Sequence, residues 1–155
     1  MFHGELVGIF TGAQKGRELQ AVARIEAVAG RGLLGDRYFL KEGTFSGKDG
    51  PDREVTLIES EALDGLANEY ELTLAPVQAR RNLLTRGVPL NHLIGKTFAV
   101  GSVVLRGIRL CEPCGHLEKL TQKGIKAGLI HRGGLRAQIV QGGVLSVGAP
   151  ITPAE

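Results

Sequence analysis

No tryptophan occurs in this 155-residue chain, and only 5% of its residues are aromatic. Nucleic-acid binding relies on a dense basic face and, for single strands, on rings that stack against bases. Neither is present: the net charge is +3, with basic residues scattered from Arg17 to Arg136. Nucleic acid is not an expected partner; a small anionic ligand held by a few arginines fits the charge pattern better. No run approaches the ~20 apolar residues of a membrane span. The opening Met-Phe-His-Gly-Glu-Leu also lacks the charged start and apolar core of a secretory signal. The expectation is a cytoplasmic protein with no membrane partner. Two cysteines do not make a disulfide framework, so their spacing matters more than their number.

Glycine is abundant, with 23 residues, several in pairs beside β-branched side chains. That pattern predicts short strands joined by tight turns. Strands are expected at Leu6–Thr11, Leu19–Val28 (with a bulge or bend), Arg53–Ile58, Arg81–Thr85, Lys96–Val100 and Ser102–Leu110. Leu135–Gln141 and Val144–Val147, split by Gly142-Gly143, read as a final hairpin. Gly30 to Arg37 is a glycine-punctuated loop, and Phe39 to Asp52 a flexible excursion. One helix stands out: Ala62, Leu63, Leu66, Ala67 and Tyr70 share a face from Ser60 to Tyr70, with Ser60 as the expected cap. Short helices are expected at Cys114–Gln122 and Lys123–Ile130, and a turn or short helix at Pro89–Ile94. The fold class is mainly β with a few short helices, most economically a closed or nearly closed β-barrel, in one domain over residues 1–155 with a core from about 4 to 151. The strand-helix-strand rhythm of a nucleotide-binding sheet is absent.

The segment with most chemistry is Cys111-Glu112-Pro113-Cys114-Gly115-His116-Leu117-Glu118. Proline stops regular strand pairing, and Leu117 and Leu120 set a helical spacing that puts Cys114 at or near a helix start. Free N–H groups there favour a thiolate, the nucleophilic and metal-binding form of cysteine. Cys111, ending an apolar strand, reads equally as a small buried hydrophobe. A second segment is His131-Arg132-Gly133-Gly134. Its glycines permit close backbone approach, and Arg132 offers a bidentate fork for an oxyanion. On that argument Arg132 outranks Arg86 as an anion contact. In the third segment, Arg80-Arg81-Asn82, a strand would put Arg80 and Asn82 on one face and Arg81 on the other. Asp36 in its glycine-rich turn reads as a cap for local N–H groups. Structural zinc is the alternative use of Cys111-x-x-Cys114 with His116 and His131, although the second half of a zinc pattern is missing.

In order, these segments resemble the MOSC family, named for the C-terminal domain of molybdenum-cofactor sulfurases. The resemblance runs through Gly35-Asp36-Arg37, Arg80-Arg81-Asn82-Leu83, Leu93-Ile94-Gly95, Cys111-Glu112-Pro113-Cys114 with His116, His131-Arg132-Gly133-Gly134 and Gly142-Gly143. It implies a barrel of the pyruvate-kinase-barrel-like kind. It also implies a cleft for the molybdenum cofactor (Mo-molybdopterin), with Cys114 as sulfur carrier or metal ligand. Sulfur transfer and reduction of N-hydroxylated compounds are the family's reactions, and a non-catalytic cofactor-delivery module is the alternative. Cofactor contacts would come from Arg81, Asn82, Cys111, His116, His131, Arg132, Gly133, Asp36 and Arg37. Tyr38 stands where many relatives have histidine. The chain resembles a stand-alone member, which implies a separate desulfurase or reductase protein as partner.

A helix-start position makes Cys114 more acidic than a free thiol. Iodoacetamide labelling against pH is expected to show an inflection below about 8.5, the unperturbed value. A curve matching that of a model peptide thiol would refute it.

Overall fold

The computed structural model describes residues 1–14, 18–41, 50–113 and 115–154, with His116 described in its backbone only. Its strands are β1 (Gly4–Thr11), β2 (Gln20–Val22), β3 (Arg24–Val28), β4 (Gly32–Leu33), β5 (Val55–Glu59), β6 (Leu83–Arg86), β7 (Thr97–Val100), β8 (Val103–Leu110), β9 (Leu135–Gln141), β10 (Gly143–Ser146) and β11 (Pro150–Pro153). The helices are α1 (Arg37–Leu40), α2 (Ser60–Tyr70), α3 (Gly115–Leu120) and α4 (Ile125–Gly128). Seven strands close into a barrel in the order β11-β7-β8-β9-β5-β6-β1, with β1 pairing back onto β11. Gly4 opposite Ile151 and Glu5 opposite Pro150 make the closure. Strand β2 extends β1, and β10, β3 and β4 form a separate small sheet.

Alternation explains the barrel core. Leu135, Ala137 and Ile139 of β9 point inward to meet Leu57, Leu83, Phe98, Val100 and Leu105. In β1 the inward residues are Leu6 and Ile9, three apart, which strict alternation forbids. A register shift between Leu6 and Gly8 against β6 restores the parity. Phe10 then faces outward into a second core, where Ile58 and Leu84 pack against Leu63 and Leu66 of α2, Leu117 of α3 and Ile125 of α4. The barrel thus has an apolar interior and one flank covered by helices.

Four expectations change. Gly142-Gly143 is not a hairpin turn: β9 pairs with β8 and β5, while β10 crosses to pair with β3. A Cβ on Gly142 would lie 2.6 Å from the carbonyl oxygen of Ala27, so the glycine marks the close crossing between sheets. Helix α2 is not capped by Ser60. Glu59 holds the cap position without a side-chain bond, and Ser60 donates instead to Glu61 Oε1 at 3.4 Å. One β-α-β unit exists after all, because β5 and β6 are parallel with α2 between them. Finally, β6 starts at Leu83, and Arg80 has φ of 58°. It closes the 3₁₀ turn Pro76–Ala79, so strand alternation across Arg80-Arg81-Asn82 does not apply. Of the excursion expected from Phe39 to Asp52, residues 42–49 lie outside the described residues. No helix in the described residues is long and apolar enough to cross a membrane.

The β6–β7 loop hangs on two carboxylates. Glu61 Oε2 accepts from the Gly87 N–H at 2.8 Å, and Glu59 Oε2 from the Leu90 N–H at 3.1 Å. Burial raises the pKa of Glu59; the nearby Glu61 charge adds to this, against the Leu90 hydrogen bond and His92. An acid whose folded pKa exceeds its unfolded value binds more protons when folded, so its contribution to stability is lost as pH rises through that window. Glu59→Gln keeps the acceptor and removes the titration. Its melting temperature relative to the parent is expected to climb from pH 4 to pH 8, and a pH-independent difference would rule the effect out.

Candidate functional site

Chemistry-bearing residues gather on the outer flank of the barrel, where β8 ends, β9 begins and the chain enters β6. Arg81 ties these segments together. Its Nε donates to the Gly133 carbonyl at 2.8 Å and its Nη2 to the Cys111 carbonyl at 3.1 Å. The Cys111 N–H in turn donates to the Gly134 carbonyl at 2.7 Å. Gly133 must lack a side chain here, since a Cβ would sit 2.6 Å from both the Cys111 carbonyl oxygen and the Pro113 Cδ. Gly134, with φ of 120°, has the Leu57 carbonyl oxygen where a Cβ would go. The glycine pair therefore lets the Cys111–Pro113 segment lie directly on the turn before β9.

Asp36 and Arg37 join this group from α1. Asp36, fully buried, accepts from the Tyr38 N–H at 3.2 Å and from the Gly12 N–H at 3.0 Å, the capping role that its turn implies. Arg37 sits 3.4 Å from Asp36 Oδ1 and donates through Nη2 to the Arg80 carbonyl at 3.1 Å. Burial lowers the pKa of Arg80, and the adjacent Arg37 and Arg81 lower it further, although Tyr38 and Asp36 oppose them. Crowded guanidinium groups of this kind favour an anion nearby.

Asn82 is fully buried and internally satisfied. Its Oδ1 accepts from the N–H and hydroxyl of Thr56 at 3.1 and 3.2 Å, and its Nδ2 donates to the Phe10 carbonyl at 3.1 Å. It braces β5, β6 and β1 beneath the site. His131 turns outward: its ring faces Glu112 Oε2 at 3.1 Å while its N–H donates to Glu112 Oε1 at 2.8 Å. Arg132 leaves the group altogether. Its Nη1 and Nη2 engage the two oxygens of Glu69, each at 3.2 Å, and its Nε donates to the Gly128 carbonyl at 2.9 Å. Gly65 makes room for it, because a Cβ there would collide with Arg132 Nη1. This glycine, unfavourable within a helix, is the slot for an arginine. Cys111 is buried, and Cys114 and the side chain of His116 lie outside the described residues. Among the described residues no three His, Cys, Asp or Glu side chains gather as a metal site.

Two participants escaped the sequence reading. Arg136, 8% exposed, donates from Nη1 to the Tyr38 hydroxyl at 3.1 Å and to the Asp52 carbonyl at 3.2 Å. The signal for Arg136 was available: between the inward Leu135 and Ala137, it must face outward on the site's flank. Tyr38 carried only a family comparison.

Arg81 and Arg132 are therefore expected to differ in kind. Arg81→Ala removes two charge-assisted bonds that hold the Cys111 segment and should cost on the order of 2–4 kcal/mol in urea denaturation. Arg132→Ala removes a half-exposed pair and should cost about 1 kcal/mol or less beyond lost packing. Equal losses would contradict the clamp.

Comparison with known proteins follows the same geometry. The YuaD protein of Bacillus subtilis superposes with a TM-score of 0.81 at 15% identity, covering 97% of each chain. YiiM from Geobacillus stearothermophilus gives 0.74 at 17% identity, over 98% of this chain and 75% of that one. YiiM from Escherichia coli gives 0.69 at 22%, over 100% and 70%. At these identities the likeness establishes a shared fold. No curated protein sequence matches the chain. The MOSC domain profile, however, matches residues 44–152, which include β5 to β10, most of β11 and the Arg81, Cys111 and Gly133 junction. The chain belongs to the MOSC domain family.

Proposed function

We propose that this protein binds the molybdenum cofactor on the Cys111–Gly133 flank and uses the Cys114 thiol as sulfur carrier or metal ligand. The observation that carries the reading is the Arg81 clamp on the Cys111 and Gly133 carbonyls, with Arg80 and Arg37 crowded beside Arg81. The residues fit an anionic, phosphate-bearing pterin. Guanidinium groups outnumber carboxylates there, and Gly133 and Gly134 present backbone with no Cβ in the way. The MOSC domain is known in molybdenum-cofactor-binding proteins, and this adds weight.

In this reading the bound cofactor supplies redox or sulfur-accepting chemistry at molybdenum. The chain's own residues do the rest. Arg81 fixes where Cys111 leaves the barrel, three residues before the thiol of this reading. A thiolate at Cys114 is a soft ligand and a competent sulfur acceptor and donor. Arg80 and Arg37 favour the negative charge of the ligand. Sulfur transfer and reduction of N-hydroxylated compounds are both consistent with such a thiol, and each needs a source of sulfur or electrons, for which a desulfurase or a reductase is the proposed partner.

Purification from cofactor-competent cells tests the reading. The parent should carry molybdenum and release a fluorescent oxidised pterin. Cys111→Ser should retain most of both, whereas Cys114→Ser should lose sulfur loading or metal retention. Zinc without pterin in the parent would favour a structural metal domain. Loss in Cys111→Ser alone would mean that the other sulfur is the working one.

A further inference from the structure

Arg136 is a buried guanidinium that no carboxylate touches directly. The two arginines buried among the described residues are Arg37 and Arg136. Arg37 lies against the carboxylate of Asp36. Arg136 has only neutral acceptors, the Tyr38 hydroxyl and the Asp52 carbonyl, and both bonds come from Nη1. Its Nε is shut off from solvent and has no hydrogen-bond partner. The Asp52 carboxylate is engaged elsewhere, 2.8 Å from Arg109 Nε and 3.8 Å from Arg53 Nε. The Arg109 hydrogen bond, opposed by burial and helped by Arg53, keeps that carboxylate below its usual pKa. It is thus committed to the outer rim.

The vacant side of Arg136 is chemically specific. Nε and Nη2 carry parallel N–H groups, the geometry that matches two oxygens on one centre. Arg81 shows the alternative within the same site, where that edge is filled by the carbonyls of Gly133 and Cys111. Burial disfavours the Arg136 charge, and Cys111, Tyr38 and the Asp52 carboxylate offset this without filling the edge; the buried N–H without an acceptor remains a cost. Such groups persist where a ligand completes them.

We infer that Arg136, oriented by Tyr38, is an oxyanion receptor whose Nε–Nη2 edge takes two oxygens of a phosphate-class group beside Cys111. The inference deepens the cofactor reading and rests on it for the identity of the larger ligand. Because Nε is covered, entry requires Tyr38 or the Asp52 turn to give way. Tyr38 is the positioning partner: its hydroxyl anchors Nη1 and its ring lies 6.0 Å from the guanidinium carbon.

Inorganic phosphate is a sufficient probe, with the full chain labelled with ¹⁵N and arginine Nε–H resonances observed. Phosphate should shift the Arg136 signal saturably, and Arg136→Lys should weaken phosphate binding about tenfold or more, since it keeps charge and loses the two-donor edge. Tyr38→Phe, which keeps the ring and Arg136, should weaken it several-fold and serves if Arg136→Lys does not fold. Arg132→Ala, whose fork belongs to Glu69, should bind as the parent does. An Arg136 signal indifferent to phosphate overturns the inference, as does parent-like affinity in either folded variant. Competition between phosphate and molybdopterin assigns the edge to the cofactor's own phosphate, and simultaneous binding assigns it to a separate oxyanion; either supports the receptor. Failure of the cofactor reading looks different: no pterin binds, yet phosphate still moves the Arg136 resonance.

Discussion

The guanidinium of Arg81 ties the entry to β6 to the place where the β8–β9 ladder ends, just past the Cys111 N–H to Gly134 carbonyl bond. It leaves the entry to β6, spans to the Gly133 carbonyl, and reaches the Cys111 carbonyl with its second nitrogen. Both acceptors are backbone atoms at strand ends, where ladder bonding has stopped and carbonyls need partners. A lysine could satisfy one of them; the planar fork satisfies both and fixes their separation. The missing Cβ atoms at Gly133 and Gly134 are the other half of this constraint, because any side chain would push the Cys111–Pro113 segment away from the turn before β9. Everything proposed for the thiol downstream depends on that contact being kept.

Charge is distributed with similar economy. Carboxylates at the flank serve backbone or rim: Asp36 caps α1 and holds Gly12, while Asp52 pairs with Arg109 and Arg53. Glu54, buried at the head of β5, accepts from the Ile139 N–H at 2.8 Å. What remains at the centre is net positive and poorly hydrated, a setting in which electrostatic attraction acts more strongly than at an open surface. On the other side of α2, Arg132 is balanced by Glu69 and lies over Tyr70. Two arginines only four residues apart thus have opposite fates, one fully engaged by the fold and one with an unfilled edge.

Much of this was legible in the residues. Short runs with β-branched residues between glycine turns located β1, β5, β7, β8 and β9, and one helical face located α2 to its ends. The barrel followed from many short strands in one domain. The failures have physical causes. Arg80 adopts a left-handed backbone without being glycine or asparagine, so nothing local announced that Asn82 would be buried as a brace instead of facing a ligand. Gly142-Gly143 has the composition of a hairpin, but its glycines allow a close crossing to β3, a non-local contact. Arg132 beside two glycines looked like an anion contact, and its partner Glu69 lies 63 residues away. Gly65 is a similar case: a glycine inside a helix has a local cost, while the arginine it accommodates comes from far along the chain. Sequence spacing reports on faces and turns, whereas ion pairing across the fold is decided by packing.

The closure of the barrel has a kinetic meaning as well. Strand β1 meets β11 through Gly4–Ile151 and Glu5–Pro150, so the ladder that seals the cylinder joins segments far apart along the chain. Loop-closure entropy must be met before that pairing gives anything back, and topologies rich in such distant contacts fold slowly. During synthesis the open sheet would leave β1 with a bare edge facing β11's place until Pro150–Pro153 emerges, while the β5–α2–β6 unit and its helical flank can already pack. The β5–α2–β6 unit that leads to Arg81 is thus free to consolidate before the clamp's acceptors arrive, and the cylinder is sealed only once β11 is in place.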